Sequence, residues 1–334
     1  MNRKTSTRIL ASCLTTFLLV AVRSNCSALP VDLGSAGSWG VFETGSGTVS
    51  VSGAVPTKSR NSRRAASTTA TQSSVTGNVG TAAGGTISAT GAQFSGDLYL
   101  GDNASAQFSG TYSDNRPVTG TVHMGTGATV SPNYLLANVS DAPQGFLSQA
   151  RADAIAASAA ASALTPTGNL TQINLKRQNV TLDAGVYNLS SLNLNKSTLT
   201  LSGSGSFVFN ISSAFQLKSA QILLAGGATQ GNVLFNYTGT SDVTLSGSRK
   251  SNSVLHGIIL ALNSKVNLAA GLVVGEVISG KDISIGTNSA VMQQALSIAT
   301  VPDRGSTLAL AFVSFAAIAA LQARLMRRTA AARR

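Results

Sequence analysis

The chain has 334 residues and a formal net charge of +12, with 43% hydrophobic, 5% aromatic and 11% charged residues. The positive charge sits at the ends: four basic residues in 1–28 and a net +5 from Val301 onward leave +3 on residues 29–300. The body therefore lacks the basic stripe with interleaved aromatics that nucleic-acid binding requires, and its length buries a core without disulfides.

Residues 1–28 read as a secretory signal peptide. Arg3, Lys4 and Arg8 are followed by an apolar stretch from Ile9 to Val22, too short for a span. Cys26-Ser27-Ala28 then places cleavage after Ala28. No lipobox precedes Cys26. Both cysteines, Cys13 and Cys26, fall in this segment, so the body, 29–300, has neither thiol nor disulfide.

Residues 56–74 carry Lys58, Arg60, Arg63 and Arg64 without alternation. They read as a basic loop or insertion, with contact to acidic envelope polymer as the functional alternative. A repeat begins next. Val75-Thr76-Gly77-Asn78-Val79 is echoed by Phe94-Ser95-Gly96-Asp97-Leu98 and Val118-Thr119-Gly120-Thr121-Val122. It returns as Leu255-His256-Gly257-Ile258-Ile259 and Val273-Val274-Gly275-Glu276-Val277. The steps match one rung of a β-helix, with each glycine at a corner.

Asp141-Ala142-Pro143-Gln144 opens an alanine-rich run that Pro166 closes. Asp141 and Gln144 have capping-box spacing, and alanine favours helix. This predicts one α-helix over 142–164, burying Phe146, Ala150, Ala154 and Ala157. From Asn179 the chain alternates with period 2: Leu192 and Leu194, Leu199 and Leu201, Phe207 and Phe209, Phe215 and Leu217, and so on to Ile283 and Ile285. Short strands with one buried face and Gly-rich turns suggest a sandwich, barrel or β-solenoid, and the repeat favours the solenoid.

Residues 306–323 carry no charge and are just long enough to cross a bilayer as a transmembrane helix. Arg324, Arg327, Arg328, Arg333 and Arg334 follow, and positive residues stay on the cytoplasmic side. The preceding Val301-Pro302-Asp303-Arg304-Gly305 resembles the VPDSG-type C-terminal sorting signals, relatives of the PEP-CTERM signals, departing from them at Arg304, where Ser is usual. The resemblance implies cleavage by an exosortase-type membrane enzyme and delivery to the cell envelope.

Motifs for chemistry are sparse. Neither a Gly-x-Ser-x-Gly elbow, a phosphate loop nor a metal-ligand spacing occurs, and no cofactor is implied. His256, beside Gly257, reads as structural. A β-helix enzyme acting on polysaccharide needs paired carboxylates. Asp97 with Asp102, or Glu276 with Asp282, are the pairs that stacking can join; as isolated acids they read as solvated turn residues. Asn138, Asn179 and Asn236, each in an Asn-x-Ser/Thr triplet, read as turn and strand residues.

Two families are resembled across residues 31–291. Leu33-Gly34-Ser35-Ala36-Gly37-Ser38-Trp39, the Thr76-Gly77 strand, the alanine-rich helix and Leu182-Asp183-Ala184-Gly185-Val186-Tyr187 are similar to the ice-binding-protein-like family. Asn232-Val233-Leu234-Phe235-Asn236-Tyr237, Gly257-Ile258-Ile259-Leu260-Ala261-Leu262-Asn263 and Gly275-Glu276-Val277-Ile278-Ser279-Gly280-Lys281 resemble the choice-of-anchor A adhesive-domain family. Both resemblances imply a mostly β fold, a right-handed β-solenoid with one flanking α-helix. Ice binding needs a flat face of short side chains, often Thr, and Thr198-x-Thr200 is the clear Thr-x-Thr of the regular strands. The first expectation is thus a non-enzymatic surface adhesive or structural module whose partner is envelope or matrix polymer. Ice binding is the alternative, and a polysaccharide-acting enzyme the third reading.

Overall fold

In the computed structural model the described residues are 29–53, 73–110, 112, 116–132, 138–143, 145–248 and 251–293. The alternation folds as expected, into a mostly β structure with one α-helix. All pairings between its strands are parallel, and the strands stack as three walls.

The first wall runs through 185–189, 207–211, Val233–Tyr237, 258–260, 276–279, Trp39–Glu43, Asn78–Thr81, Leu98–Leu100, Thr121–Met124 and Asn138–Asp141. The helix covers it, and it is called the helix wall. The second, the polar wall, runs from Gln172–Lys176 through 191–195, 214–218, Val243–Ser246, Val266–Ala269 and Ile283–Ile285. It continues through Thr48–Ser52, Thr86–Thr90 and Ser105–Ser109 to Thr129–Ser131. The third, the mixed wall, runs from 179–183 through 198–202, Gln221–Ala225, 253–256, 271–274 and Ala290–Met292 to Ser74–Thr76 and Gln93–Ser95.

This order is not the chain order. Residues 39–141 build from the middle of the stack to one end. The chain then crosses to the other end and returns, so that 277–279 stack on Val41, Phe42 and Glu43 and Ala290–Met292 stack on Ser74–Thr76. One rung is composite: Ala290–Met292 supply its mixed wall, and Trp39–Ser52 supply the other two.

Inward side chains meet like with like. Tyr187, Phe209 and Phe235 are register partners and stack with centroids 5.1 and 5.0 Å apart, an arrangement that stabilises beyond the area it buries. The repeat glycines lie at the corner between mixed and helix walls. Gly257 and Gly275 have φ of 139° and 146°, and a Cβ on Gly275 would collide with the Gly257 carbonyl oxygen. Only glycine permits both the conformation and the approach.

Helix α1, Phe146–Ser162, presents Ala150, Ala154, Ala157 and Ala161 to the wall, each at most 1% exposed. Their spacing is that of one helical face, and their small side chains let the helix lie close over Val208, Leu234, Ile258, Ile278 and Phe42. Its length of about 25 Å spans about five strand spacings. Phe146 packs against Trp39 and Tyr99 at one end. The start differs from the expected 142. Asp141 is not the cap but the last residue of strand Asn138–Asp141, opposite Met124. The chain must leave the wall before it reverses, and Gly145 at φ 76° makes that turn with no side-chain cap.

The C-terminal end of α1 is held by an asparagine ladder. Asn210 Nδ2 donates to Asn188 Oδ1 at 3.0 Å and to the Ala161 carbonyl at 2.8 Å. Asn236 Nδ2 donates to Asn210 Oδ1 at 2.8 Å, and Ser158 Oγ donates to Asn236 Oδ1 at 2.7 Å. Among the described residues no helix is long and apolar enough to cross a membrane; the expected transmembrane helix, 306–323, and most of the basic segment 56–74 lie outside them. Asn236, fully buried, couples strand, ladder and helix. Asn236→Ala leaves Ser158 Oγ and Asn210 Oδ1 without their partner and should cost about 1–3 kcal/mol, read from the urea midpoint.

Candidate functional site

The three walls differ in what they offer. The helix wall is covered by α1 over most of its length, its last strand, Asn138–Asp141, remaining exposed. The mixed wall carries half-buried Leu223, Val254 and Leu272 on its outer side. The polar wall is open and divides into two chemistries.

On one half, strands Ile283–Ile285, Thr48–Ser52, Thr86–Thr90, Ser105–Ser109 and Thr129–Ser131 turn hydroxyl side chains outward. Val49, Val51, Ile87 and Phe108 beneath them are buried. Register aligns Thr48 with Thr86, Ser105 and Thr129, and Ser284 with Ser50 and Ser88. A third column joins Ser52, Thr90 and Ser109. The outer columns are tied along the stack, Thr86 Oγ1 to Ser105 Oγ at 3.2 Å and Thr90 Oγ1 to Ser109 Oγ at 3.0 Å. At parallel-strand spacing the array measures about 19 by 13 Å. Gln107 is the one longer side chain in the middle column of this array. The other half is amide and amine: Gln172, Asn174, Asn193, Gln216 and Asn267, with Lys176 and Lys218 in its outer column.

The composite rung supplies strand Thr48–Ser52, next to Ile283–Ile285 in the hydroxyl half, and two carboxylates hold the turn that enters it. Glu43 Oε1 accepts the Gly45 N–H at 2.7 Å and Oε2 accepts the Thr81 hydroxyl at 3.0 Å. Burial pushes the Glu43 carboxyl above its ordinary value despite these hydrogen bonds. Asp282 Oδ1 accepts the Thr48 N–H at 3.0 Å and Oδ2 meets Lys265 Nζ at 2.6 Å. The lysine, then the amide, hold Asp282 below its ordinary value.

The residues considered for chemistry do not assemble. Asp97 and Asp102 flank strand Leu98–Leu100, five residues and about 16 Å apart along an extended chain. Asp97 accepts the Thr121 N–H and Asp102 the Thr126 N–H, at 2.9 and 2.8 Å. Glu276 is buried on the helix wall, while Asp282 is at the turn just described. His256 Nδ1 bonds the Ile222 carbonyl at 2.8 Å, a structural role. His123, stacked on Tyr99 at 4.3 Å, has Ser140 Oγ 2.6 Å from Nδ1 and Asp97 Oδ2 3.7 Å from Nε2. Among the described residues no three metal-ligating side chains converge. Ala28, Val301, Pro302, Asp303, Gly305, Arg324, Arg327 and Arg328 all lie outside the described residues.

Residues 62–291 match the ice-binding-like family. The chain belongs to that family. This ice-binding-like chain is also similar to solved structures. One is the ice-binding protein of the Antarctic ascomycete Antarctomyces psychrotrophicus (19% identity, 79% of this chain and 98% of that one, TM-score 0.45). A second is LeIBP, an ice-binding protein from an Arctic yeast (18%, 80% and 95%, 0.46). A third is the DUF3494 domain of Shewanella frigidimarina ice-binding protein 1 (18%, 81% and 100%, 0.47). No curated protein matches it. Family membership overturns the adhesive or structural module as the leading reading: of the two expected functions, the family sides with ice.

The Thr-x-Thr spacing after Asn179 does not mark the hydroxyl array. Thr198 and Thr200 lie on the mixed wall, beside Gln221 and Leu223. The hydroxyl array is spelled earlier, in Thr48-Val49-Ser50-Val51-Ser52 and Thr86-Ile87-Ser88-Ala89-Thr90, whose mixed Ser and Thr was the available signal.

The turn at Glu43 gives a pH test with a fixed sign. A carboxyl raised in the folded state contributes full stability below its unfolded value, 4.5, and loses it as pH rises through the folded value. Urea midpoints measured upward from about pH 4.5 should therefore fall less in Glu43→Gln than in the parent chain.

Proposed function

We propose that the chain binds ice through the hydroxyl half of its polar wall. The carrying observation is the in-register, outward-facing array of Ser and Thr built by five parallel strands over a buried core. Each hydrogen bond to a surface water is a near-even exchange for one to liquid water. Adsorption therefore depends on many weak contacts made together by groups that need no reordering. Ser and Thr have little rotamer freedom to lose, and the ties between Thr86 and Ser105 and between Thr90 and Ser109 fix them further. The methyl groups of Thr add apolar area without breaking flatness. Family membership supports the same ligand.

The three-walled stack is read as a right-handed β-solenoid with α1 alongside, a form that keeps such a wall flat. The protein is further read as exported and non-enzymatic. Residues 1–28 act as a signal peptide cut after Ala28. Val301, Pro302, Asp303 and Gly305 mark a sorting signal recognised by an exosortase-type enzyme, with 306–323 crossing the membrane and Arg324, Arg327 and Arg328 inside. The order of basic, apolar and small segments at one end and of motif, apolar stretch and arginines at the other supports this reading.

Thermal hysteresis and inhibition of ice recrystallisation test the site. Ser50→Tyr with Ser88→Tyr should abolish both while circular dichroism stays unchanged; Thr200→Tyr, on the mixed wall, should leave both intact. Full activity in the folded Ser50/Ser88 variant would remove the hydroxyl wall as the ice site. For the export reading, N-terminal sequencing of the secreted protein should begin at Leu29.

A further inference from the structure

The described cations are unevenly placed. Lys176, Arg177, Lys196 and Lys218, all exposed, crowd one corner between polar and mixed walls, at the end of the stack remote from the hydroxyl array. Lys176 stands opposite Asn195, and Asn195 opposite Lys218, so one outer column reads Lys, Asn, Lys. Arg177 and Lys196 occupy the corner itself on successive rungs: the Arg177 N–H donates to the Asn195 carbonyl and the Lys196 N–H to the Lys218 carbonyl, each at 2.9 Å. The four charges thus lie on three consecutive rungs, within about 10 Å along the stack. Among the described residues the Lys265–Asp282 ion pair and the His123–Asp97 contact involve none of them.

Two observations separate this corner from an ordinary solvated edge. Lysine on a terminal strand blocks edge-to-edge pairing, and Lys176, on the outermost strand Gln172–Lys176, is accounted for in that way. Lys218 is not, because its strand segment is paired on both sides, and Lys196 follows a segment paired on both sides as well. Moreover, Arg177 and Lys196 adopt φ of 55° and 51°, the left-handed region where glycine or asparagine sits at less cost. Ser219 on the next rung has φ of 49° as well, so the corner turns through this region on three successive rungs, and two of the three carry long cations there.

Beside Lys196 the corner opens into a depression of about 350 Å³ lined by Ser197, Thr198, Ser219, Gln221 and Ser251. Ser197 is buried and its hydroxyl is taken up by the Asn195 carbonyl and the Gln178 N–H, so the groups offered next to the cations are the hydroxyls of Thr198, Ser219 and Ser251 and the amide of Gln221. We propose that this corner binds a linear acidic polysaccharide. Its carboxylate or sulfate groups lie along the four cations, and its sugar hydroxyls bond the Ser, Thr and Gln side chains of the depression. The charges are strung along the stack rather than converging on a point, which fits a repeating polyanion better than a single small anion. None of the residues named at the corner is aromatic, so bases of a single-stranded nucleic acid would find no ring to stack on. The site is separate from the proposed ice face and independent of it.

The test is retardation of the full chain in gels containing polygalacturonate, dextran sulfate or neutral dextran. The parent chain should be retarded by an acidic polymer and not by dextran, and the effect should weaken with salt. Preference between the first two polymers identifies carboxylate or sulfate as the anion. Lys176→Gln with Arg177→Gln, Lys196→Gln and Lys218→Gln should weaken binding by more than about tenfold. Arg116→Gln with Arg151→Gln and Lys281→Gln, cations elsewhere on the surface, should change it by less than about twofold. Thermal unfolding of each variant checks that the fold is retained. Binding to neither acidic polymer, equal loss in the two variants, or tighter retention by oligothymidylate of equal charge would each overturn the proposal.

Discussion

Parallel stacking of rung on rung, with every inward side chain above its counterpart, is the constraint from which the remaining features descend. A parallel ladder has evenly spaced bonds and cannot slip by one residue without turning its core outward. The inner column Tyr187, Phe209, Phe235 fixes register from within. The corner glycines fix it from the edge, since Gly275 can lie on the Gly257 carbonyl only because it carries no Cβ, and a Cβ on Gly257 would press on Val233 and Phe235. Once register is set, outer side chains have no choice of column. The hydroxyl array is therefore a by-product of the core: Thr48, Thr86 and Ser105 align because Val49, Ile87 and Ala106 do.

The helix serves the same constraint from outside. One wall of the stack would otherwise expose Val208, Leu234, Ile258 and Ile278. Helix α1 covers them with alanines, whose small size keeps the helix axis close, and the Asn188, Asn210, Asn236 ladder ends the contact with hydrogen bonds rather than apolar surface. Covering one wall also decides which faces remain for ligands. Of the two left open, one carries Leu223, Val254 and Leu272, and the other only polar side chains on its outer columns apart from Ala214 and Ala269.

Local features were legible in the sequence and composite ones were not. The strands after Asn179 are continuous in the chain and pair with one another across 17 to 33 residues, so alternation alone exposed them. The alanine face of α1 was legible from its spacing, but not the helix start, because Asp141 satisfied a capping pattern while being claimed by a strand. The hydroxyl array was hidden by topology. Ser50 pairs across a step of 38 residues to Ser88 because 54–72 intervene, and with Ser284 across 234 residues. No window along the chain contains that column. Glu43, a buried acid, likewise reads as an ordinary turn residue until its partner Thr81 is brought beneath it.

The composite rung is where these threads meet. It joins the first strands to the last, it lies next to the step where the polar wall changes from Asn267 to Ser284, and its entering turn is held by two carboxylates with opposite proton linkage. Glu43 is raised by burial and Asp282 is lowered by Lys265 and the Thr48 amide. The two act on one short turn: Glu43 holds Gly45 and Asp282 holds Thr48. Acid weakens the hold of Asp282 on Thr48; at Glu43 it relieves the cost of burying a charge but weakens the hydrogen bonds from Gly45 and Thr81. Because this junction closes the stack and aligns Ser284 with Ser50, a shift of the turn would break the middle hydroxyl column where the first strands meet the last.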